Sequence, residues 1–123
     1  MVLADTSIWI DYFRSASEPF KALLMENRVT IHPLVIGELA CGNLHDRQAT
    51  LGLFDSLPKS KIATDQEAYY LIATARLYSA GIGYVGAHLL RACRLTRCQL
   101  WTKDKGLLGI AENLDLNYHP RHV

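Results

Sequence analysis

Residues 78–95 read YSAGIGYVGAHLLRACRL. Within them Gly81, Gly83 and Gly86 stand in the G-x-G-x-x-G spacing of a dinucleotide-binding turn. Such a turn opens directly after a β-strand. Here the preceding stretch, TDQEAYYLIATARLYSAG (residues 64–81), reads as the clearest helix in the chain. Thr64 or Asp65 caps it, Glu67 lies in its first turn, and Gly81 stands where a C′ glycine belongs. Asp104 follows Gly86 at about the right distance for a ribose-binding acid, but the strand the motif requires is missing. The glycines are therefore expected to serve separate purposes.

Working outward, short apolar runs alternate with amphipathic stretches. MVLAD suits a buried parallel strand ending on an acid. Helices are expected around SIWIDYFRS (7–15) and from Ser17 to Asn27. RVTIHP reads as a strand stopped by Pro33, and PLVIGELACGN as a helix with Leu34, Val35 and Cys41 on one face. DRQATLGLFDSL is another helix, closed by Pro58, and KIA (61–63) a short strand. AHLLRACRLT and KGLLGIAENL read as helices around a buried strand CQLWT, with LNYH (116–119) a last strand. This alternation predicts a three-layer α/β/α sandwich around a mainly parallel sheet. The 123 residues suit one domain, 1–123.

Half of the residues are apolar and a fifth charged, with a formal net charge of +1, an ordinary globular composition. No apolar run approaches the ~18–20 residues that span a bilayer. The start carries no basic leader, so a cytoplasmic protein without membrane contact is expected. Cys41, Cys93 and Cys98 lack zinc-site pairing and read as buried thiols in a reducing compartment. Arg91, Arg94 and Arg97, followed by Lys103 and Lys105, could track a phosphate backbone. A solvated helix edge is the alternative, and composition alone favours it.

In open parallel α/β sheets the functional crevice lies outside the carboxyl ends of the strands. Asp5 ends the first strand and is followed by Thr6 and Ser7. Asp104 falls just past CQLWT, two residues after Thr102. Glu38 is placed by its spacing from Leu34 and Cys41 on an apolar stripe, where a carboxylate is costly unless paired or bound to metal. Clustered carboxylates favour hard cations such as Mg²⁺ or Mn²⁺, which assist phosphodiester hydrolysis.

VLADTSIWIDYFR, VIGELACG, AHLLRACRLT and LWTKDKGL, in that order and spacing, resemble a PIN-domain ribonuclease, and more narrowly the VapC toxins of type II toxin–antitoxin modules. The resemblance covers essentially the whole chain. It implies a PIN-like fold and an endoribonuclease that cleaves RNA phosphodiesters with metal-activated water. It also implies a VapB-like antitoxin partner and a homodimer. Asp5, Glu38 and Asp104 match the first, second and last acids of the family's quartet, which holds Mg²⁺ or Mn²⁺. Thr6, Ser7 and Thr102 match hydroxyl positions that support water or the scissile phosphate.

The third acid usually stands in a V-D-A-H-L-L kind of sequence. Here that sequence is Val85-Gly86-Ala87-His88-Leu89-Leu90. Gly86 holds the acid's place, with no ligand and no charge, and His88 is expected to face elsewhere. Impaired catalysis follows as an expectation. A natural substitution, one engineered to disable a toxic nuclease, and one selected during cloning all fit. The rival from another class is a catalytically dead PIN module that binds its antitoxin, and perhaps RNA, without cutting. A haloacid dehalogenase-type phosphatase is a weaker rival, since its second Asp would fall at Ser7.

Overall fold

The computed structural model describes residues 1–120. Three parallel strands form the sheet: β1 (Val2–Ala4) at the centre, β2 (Val29–Thr30) on one side and β3 (Gln99–Trp101) on the other. Leu3 pairs with Thr30 on one side and with Leu100 on the other, and Ala4 with Trp101. Single parallel bridges, Ile31 to Lys59 and Leu100 to Asn117, extend both margins. No strand forms at 61–63, the bridge lying two residues earlier at Lys59, and the strand expected at 116–119 reduces to the Asn117 bridge. Backbone groups on Ile31 and Leu100 take the ladder one residue further, and the flanking chain then diverges.

Helices α1 (Thr6–Ser15) and α2 (Glu18–Met25) join β1 to β2. Next come α3 (Pro33–Ala40) and α4 (Arg47–Ser56), leading to the Lys59 bridge. The chain returns through α5 (Asp65–Thr74), a 3₁₀ turn at Leu77–Ser79 and α6 (Tyr84–Thr96) to β3, and α7 (Lys105–Asn113) follows. Right-handed crossovers put α1–α4 on one face of the sheet and α5–α7 on the other, because the chain moves outward from β1 before Lys59 and back across it afterwards. The direction of travel reverses between β1 and β3.

The face under α1–α4 is built from aromatics. Trp9, fully buried, meets Phe20 and Phe54 edge-on at centroid distances of 4.8 and 5.2 Å. Phe20 also reaches Trp101 at 5.8 Å. Under α6 the core is aliphatic, with Leu89, Leu90, Ala92 and Cys93 buried.

Two helical expectations change. The helix beginning at Thr64 does not run to Gly81. It stops at Thr74, and Arg76 takes a left-handed φ of 55° before the 3₁₀ turn. Gly81, at φ 74°, terminates that turn. The N-terminus is as read: Thr64 accepts from Glu67 N–H at 3.1 Å while Glu67 accepts from Thr64 N–H at 2.9 Å. Thr64→Ala removes one arm of this box and is expected to cost ~1 kcal/mol, measurable by urea titration. In α3, Val35 and Leu39 are buried whereas Leu34 and Cys41 are exposed. The helix therefore turns its Leu34–Glu38–Cys41 side outward. Only Cys93 and Cys98 are the buried thiols expected.

Candidate active site

The reversal between β1 and β3 opens a crevice at their carboxyl ends, the topological switch point where open α/β sheets bind ligands. Asp5 leaves β1 into this crevice and Asp104 leaves β3 into it; each caps the helix that follows. Asp5 Oδ1 accepts from Ile8 N–H at 3.2 Å, and Asp104 Oδ1 from Leu107 N–H at 3.0 Å. A single residue type thus stops the strand, starts the helix and brings a carboxylate to the sheet edge.

A hydroxyl network joins the two acids. Ser7 donates to Asp5 Oδ1 at 2.5 Å, and Thr102 donates to Asp5 Oδ2. Thr102 Oγ1 in turn accepts from Asp104 N–H at 3.0 Å, and Ser7 Oγ from Lys103 N–H at 3.0 Å. Thr6 donates to Glu38 Oε1 at 2.7 Å, drawing the α3 acid toward the start of α1. The three hydroxyl positions therefore act as orienting groups for the carboxylates.

Asp5 is the electrostatically unusual member. Its side chain is buried, and burial raises its pKa above the ordinary aspartate value, outweighing the hydrogen bonds from Ser7, Thr102 and Ile8 that favour the charged form. No cationic side chain among the described residues pairs with it; Lys103, whose backbone N–H reaches Ser7 Oγ, pairs through its ammonium with Asp11 at 2.8 Å. A buried carboxylate without a cation is a costly arrangement that a bound cation would relieve.

Glu38 is exposed, as is Asp104. The buried stripe expected for Glu38 is not where it lies; its placement comes from Thr6 rather than from desolvation. Gly86 stands in the first turn of α6, whose N-cap Gly83 provides no side-chain cap. A Cβ at position 86 would point at α7, meeting Leu107 Cδ1 at 3.3 Å and Ile82 Cβ at 3.7 Å. Asp104 caps that same helix.

These oxygen donors fit a hard divalent cation in kind. They fall short in number: among the described residues no group of three or more His, Cys, Asp or Glu is gathered closely enough to hold a metal ion.

The basic strip does not form. Arg91 is tied to Glu67 at 3.6 Å on α5. Arg97 is the C-cap of α6 and precedes β3 by two residues. It therefore lies at the amino edge of the sheet, ~16 Å along the helix from position 86 at 1.5 Å per residue. Arg94 shares that end, whereas Lys103 and Lys105 flank Asp104 at the crevice. Reading the sequence alone also missed His32 and the burial of His88, both at the carboxyl edge. Their only signal was a polar residue closing a strand before Pro33 and another inside an apolar helical run. His88 does face away from the carboxylates, toward Asp65.

Beside Thr6 and Glu38 a groove of about 750 Å³ is lined by residues of α1, α3, the α3–α4 loop and α4, Ile10, Phe13 and Leu53 among them. No helix among the described residues is long and apolar enough to cross a membrane.

No family model matches the chain. Ribonuclease VapC32 of Mycobacterium tuberculosis, in strains CDC 1551 / Oshkosh and ATCC 25618 / H37Rv, is 39% identical over 108 residues, which is 87% of this chain and 87% of the relative. Among solved structures, FitAcB from Neisseria gonorrhoeae matches over 100% of both chains with a TM-score of 0.70 at 18% identity. FitAB bound to IR36 DNA fragment matches 100% of this chain and 97% of its own, with a TM-score of 0.65 at 14% identity. At those identities the structures speak for the fold alone.

Proposed function

The chain belongs to the VapC family of PIN-domain ribonuclease toxins, and on that premise we propose that it is the Mg²⁺- or Mn²⁺-dependent endoribonuclease of a VapBC-type module, with catalysis impaired by Gly86. The observation that carries this reading is the buried carboxylate of Asp5 at the switch point, which no cationic side chain among the described residues pairs with and which Thr102 links to the Asp104 backbone N–H.

Asp5, Glu38 and Asp104 are the acids that would hold the cation, drawing closer around it than they stand in this structure. When bound it supplies Lewis-acid stabilisation of the phosphate and lowers the pKa of water. Thr102 and Ser7 fix both oxygens of Asp5, so the carboxylate keeps one orientation as charge develops nearby. Thr6 holds Glu38 at the opposite rim. Lys103 and Lys105 flank the crevice and are the basic residues placed to meet an RNA backbone; Arg94 and Arg97 are not.

A VapB-like antitoxin is the partner of this reading. The groove beside Glu38 suits an extended segment whose apolar side chains settle on Ile10, Phe13 and Leu53 while a basic one meets the acids. Gly86 favours a second reading, a module that retains this partner and no longer cuts. RNA cleavage in excess Mn²⁺, with Asp5→Ala as the blank, separates the two. Residual activity lost in the variant supports the impaired enzyme; equal, background-level cleavage by both proteins supports the module.

A further inference from the structure

Cys93 and Cys98, whose spacing suits no zinc site, fall on the joint between α6 and β3. The helix ends there in a backbone motif that settles where both side chains go. Arg97 is left-handed, at φ 59° and ψ 48°, and its N–H donates to the Cys93 carbonyl. Cys98 N–H donates to the same carbonyl at 3.0 Å. A left-handed residue followed by a bond that spans five residues back is a Schellman-type helix end, and the side chains at the two ends of that bond meet. Here those side chains are the two cysteines. By standard bond lengths the hydrogen bond holds their Cα atoms within ~6.5 Å of each other, inside the ~4.4–6.8 Å that a disulfide spans.

Both are free thiols, 0% and 5% exposed. They are close enough to share a proton, and they share it unevenly. The Cys93 S–H points to Cys98, which pushes the Cys93 thiol up and draws the Cys98 thiol down. Burial adds to the rise at Cys93 and opposes the fall at Cys98. The thiolate is the nucleophile, so the pair is ordered: Cys98 attacks and Cys93 resolves. Cys98 is also the one nearer solvent, since Arg97 and Gln99 on either side of it are exposed. The third cysteine, Cys41, is exposed at the end of α3.

We propose that Cys93 and Cys98 are a reversible oxidation site, closing under hydrogen peroxide to a disulfide that ties the C-terminus of α6 to β3. The Cys98 thiolate attacks one peroxide oxygen; the O–O bond breaks, and the departing hydroxide takes a proton from solvent to become water. Cys98 is left as a sulfenic acid. Cys93 Sγ then attacks Cys98 Sγ. The S–S bond forms, the S–O bond breaks, and hydroxide leaves with the Cys93 proton as a second water. Two thiols have lost two electrons and one peroxide has gained them. The joint lies at the amino edge of the sheet, opposite the crevice, and the inference is independent of the ribonuclease reading.

The test uses the full chain carrying Cys41→Ser, which removes the exposed thiol. It is treated with hydrogen peroxide at neutral pH and read by intact mass and thiol alkylation. The folded protein is expected to lose two hydrogens, to resist alkylation at both positions, and to regain both thiols with dithiothreitol. Closing this short loop should raise the melting temperature by ~3–8 °C. Adding Cys93→Ser strands the sulfenic acid, so dimedone should label Cys98 at least ~10-fold more than it labels Cys93 in the matching Cys98→Ser protein. A chain that stays reduced, one that gains oxygen instead of losing hydrogen, an oxidised form that melts below the reduced one, or equal dimedone labelling of the two single thiols would each overturn the site.

Discussion

Asp5→Asn is expected to abolish RNA cleavage and, at the same time, to raise thermal stability at neutral pH. The loss should be roughly 10²-fold or more, the scale of the several kcal/mol that a metal ion supplies to a phosphoryl transition state. The gain has a separate cause. Burial raises the folded-state pKa of Asp5 above 3.8, so the folded protein binds this proton more tightly than the unfolded chain does. The Asp5 contribution to stability is then greatest below 3.8 and declines as pH rises through the window up to the raised folded value. Above that window the carboxylate is a constant cost. Asn keeps the shape, and the Ser7 and Thr102 hydroxyls can rotate to suit it, so the variant should lose the decline. Removing the charge should stabilise by ~1 kcal/mol, or ~3–6 °C in Tm. Melting curves of both proteins across pH check the sign; a variant less stable at neutral pH would mean that the hydrogen bonds outweigh burial. Added Mn²⁺ should raise the Tm of the parent chain and leave Asp5→Asn unmoved, since only a ligand bound to the folded state stabilises it.

Gly86→Asp should move activity the other way. On the proposed reading a carboxylate at this position would join Asp5, Glu38 and Asp104, and ion affinity should tighten by roughly 10- to 100-fold, the scale by which supporting groups of metal sites act. Cleavage should rise with it. The local cost is small. The new Cβ comes 3.3 Å from Leu107 Cδ1, a contact that the end of a leucine side chain can relieve by a few tenths of an ångström. Against this, replacing glycine within a helix recovers ~0.5–1 kcal/mol, and an acid in the first turn adds ~0.3–1 kcal/mol. Gly86→Ala introduces the same Cβ without the charge and is the control. If calorimetry with Mn²⁺ and the cleavage assay give the same result for the Asp and Ala variants, the assignment of position 86 as the missing acid is wrong.

Much of the arrangement was legible along the chain because it is written in local rules. Val-Leu-Ala followed by Asp is a buried strand closed by a helix cap, and Leu-Trp-Thr-Lys-Asp repeats the scheme at β3. The same local grammar exposed GIGYVG as a false cofactor loop, since no strand precedes it. Local rules also misled. Arg76 breaks the helix from Thr64 by taking a left-handed turn, which nothing in its residue type demands. Leu34, Glu38 and Cys41 share a side of α3, but which side faces the core is decided by Val35 and Leu39 packing inward. An i, i+3 spacing of arginines describes one helix edge and not where that helix ends. Because α6 runs antiparallel to the strands, Arg94 and Arg97 go to the edge opposite the crevice.

The sequence by itself determined which carboxylates reach the sheet edge, because strand end and helix cap coincide at Asp5 and Asp104, and it determined that position 86 has none to offer. Only the tertiary structure decided how those acids are held. The hydroxyl bridge from Thr102 to Asp5 spans 97 residues and the Thr6–Glu38 bond 32. That His88 comes near enough to His32 to add to the lowering of its pKa depends on strand register and on which face α6 covers. Periodicity within one element carries no information about partners in another; burial, register and crossover handedness do.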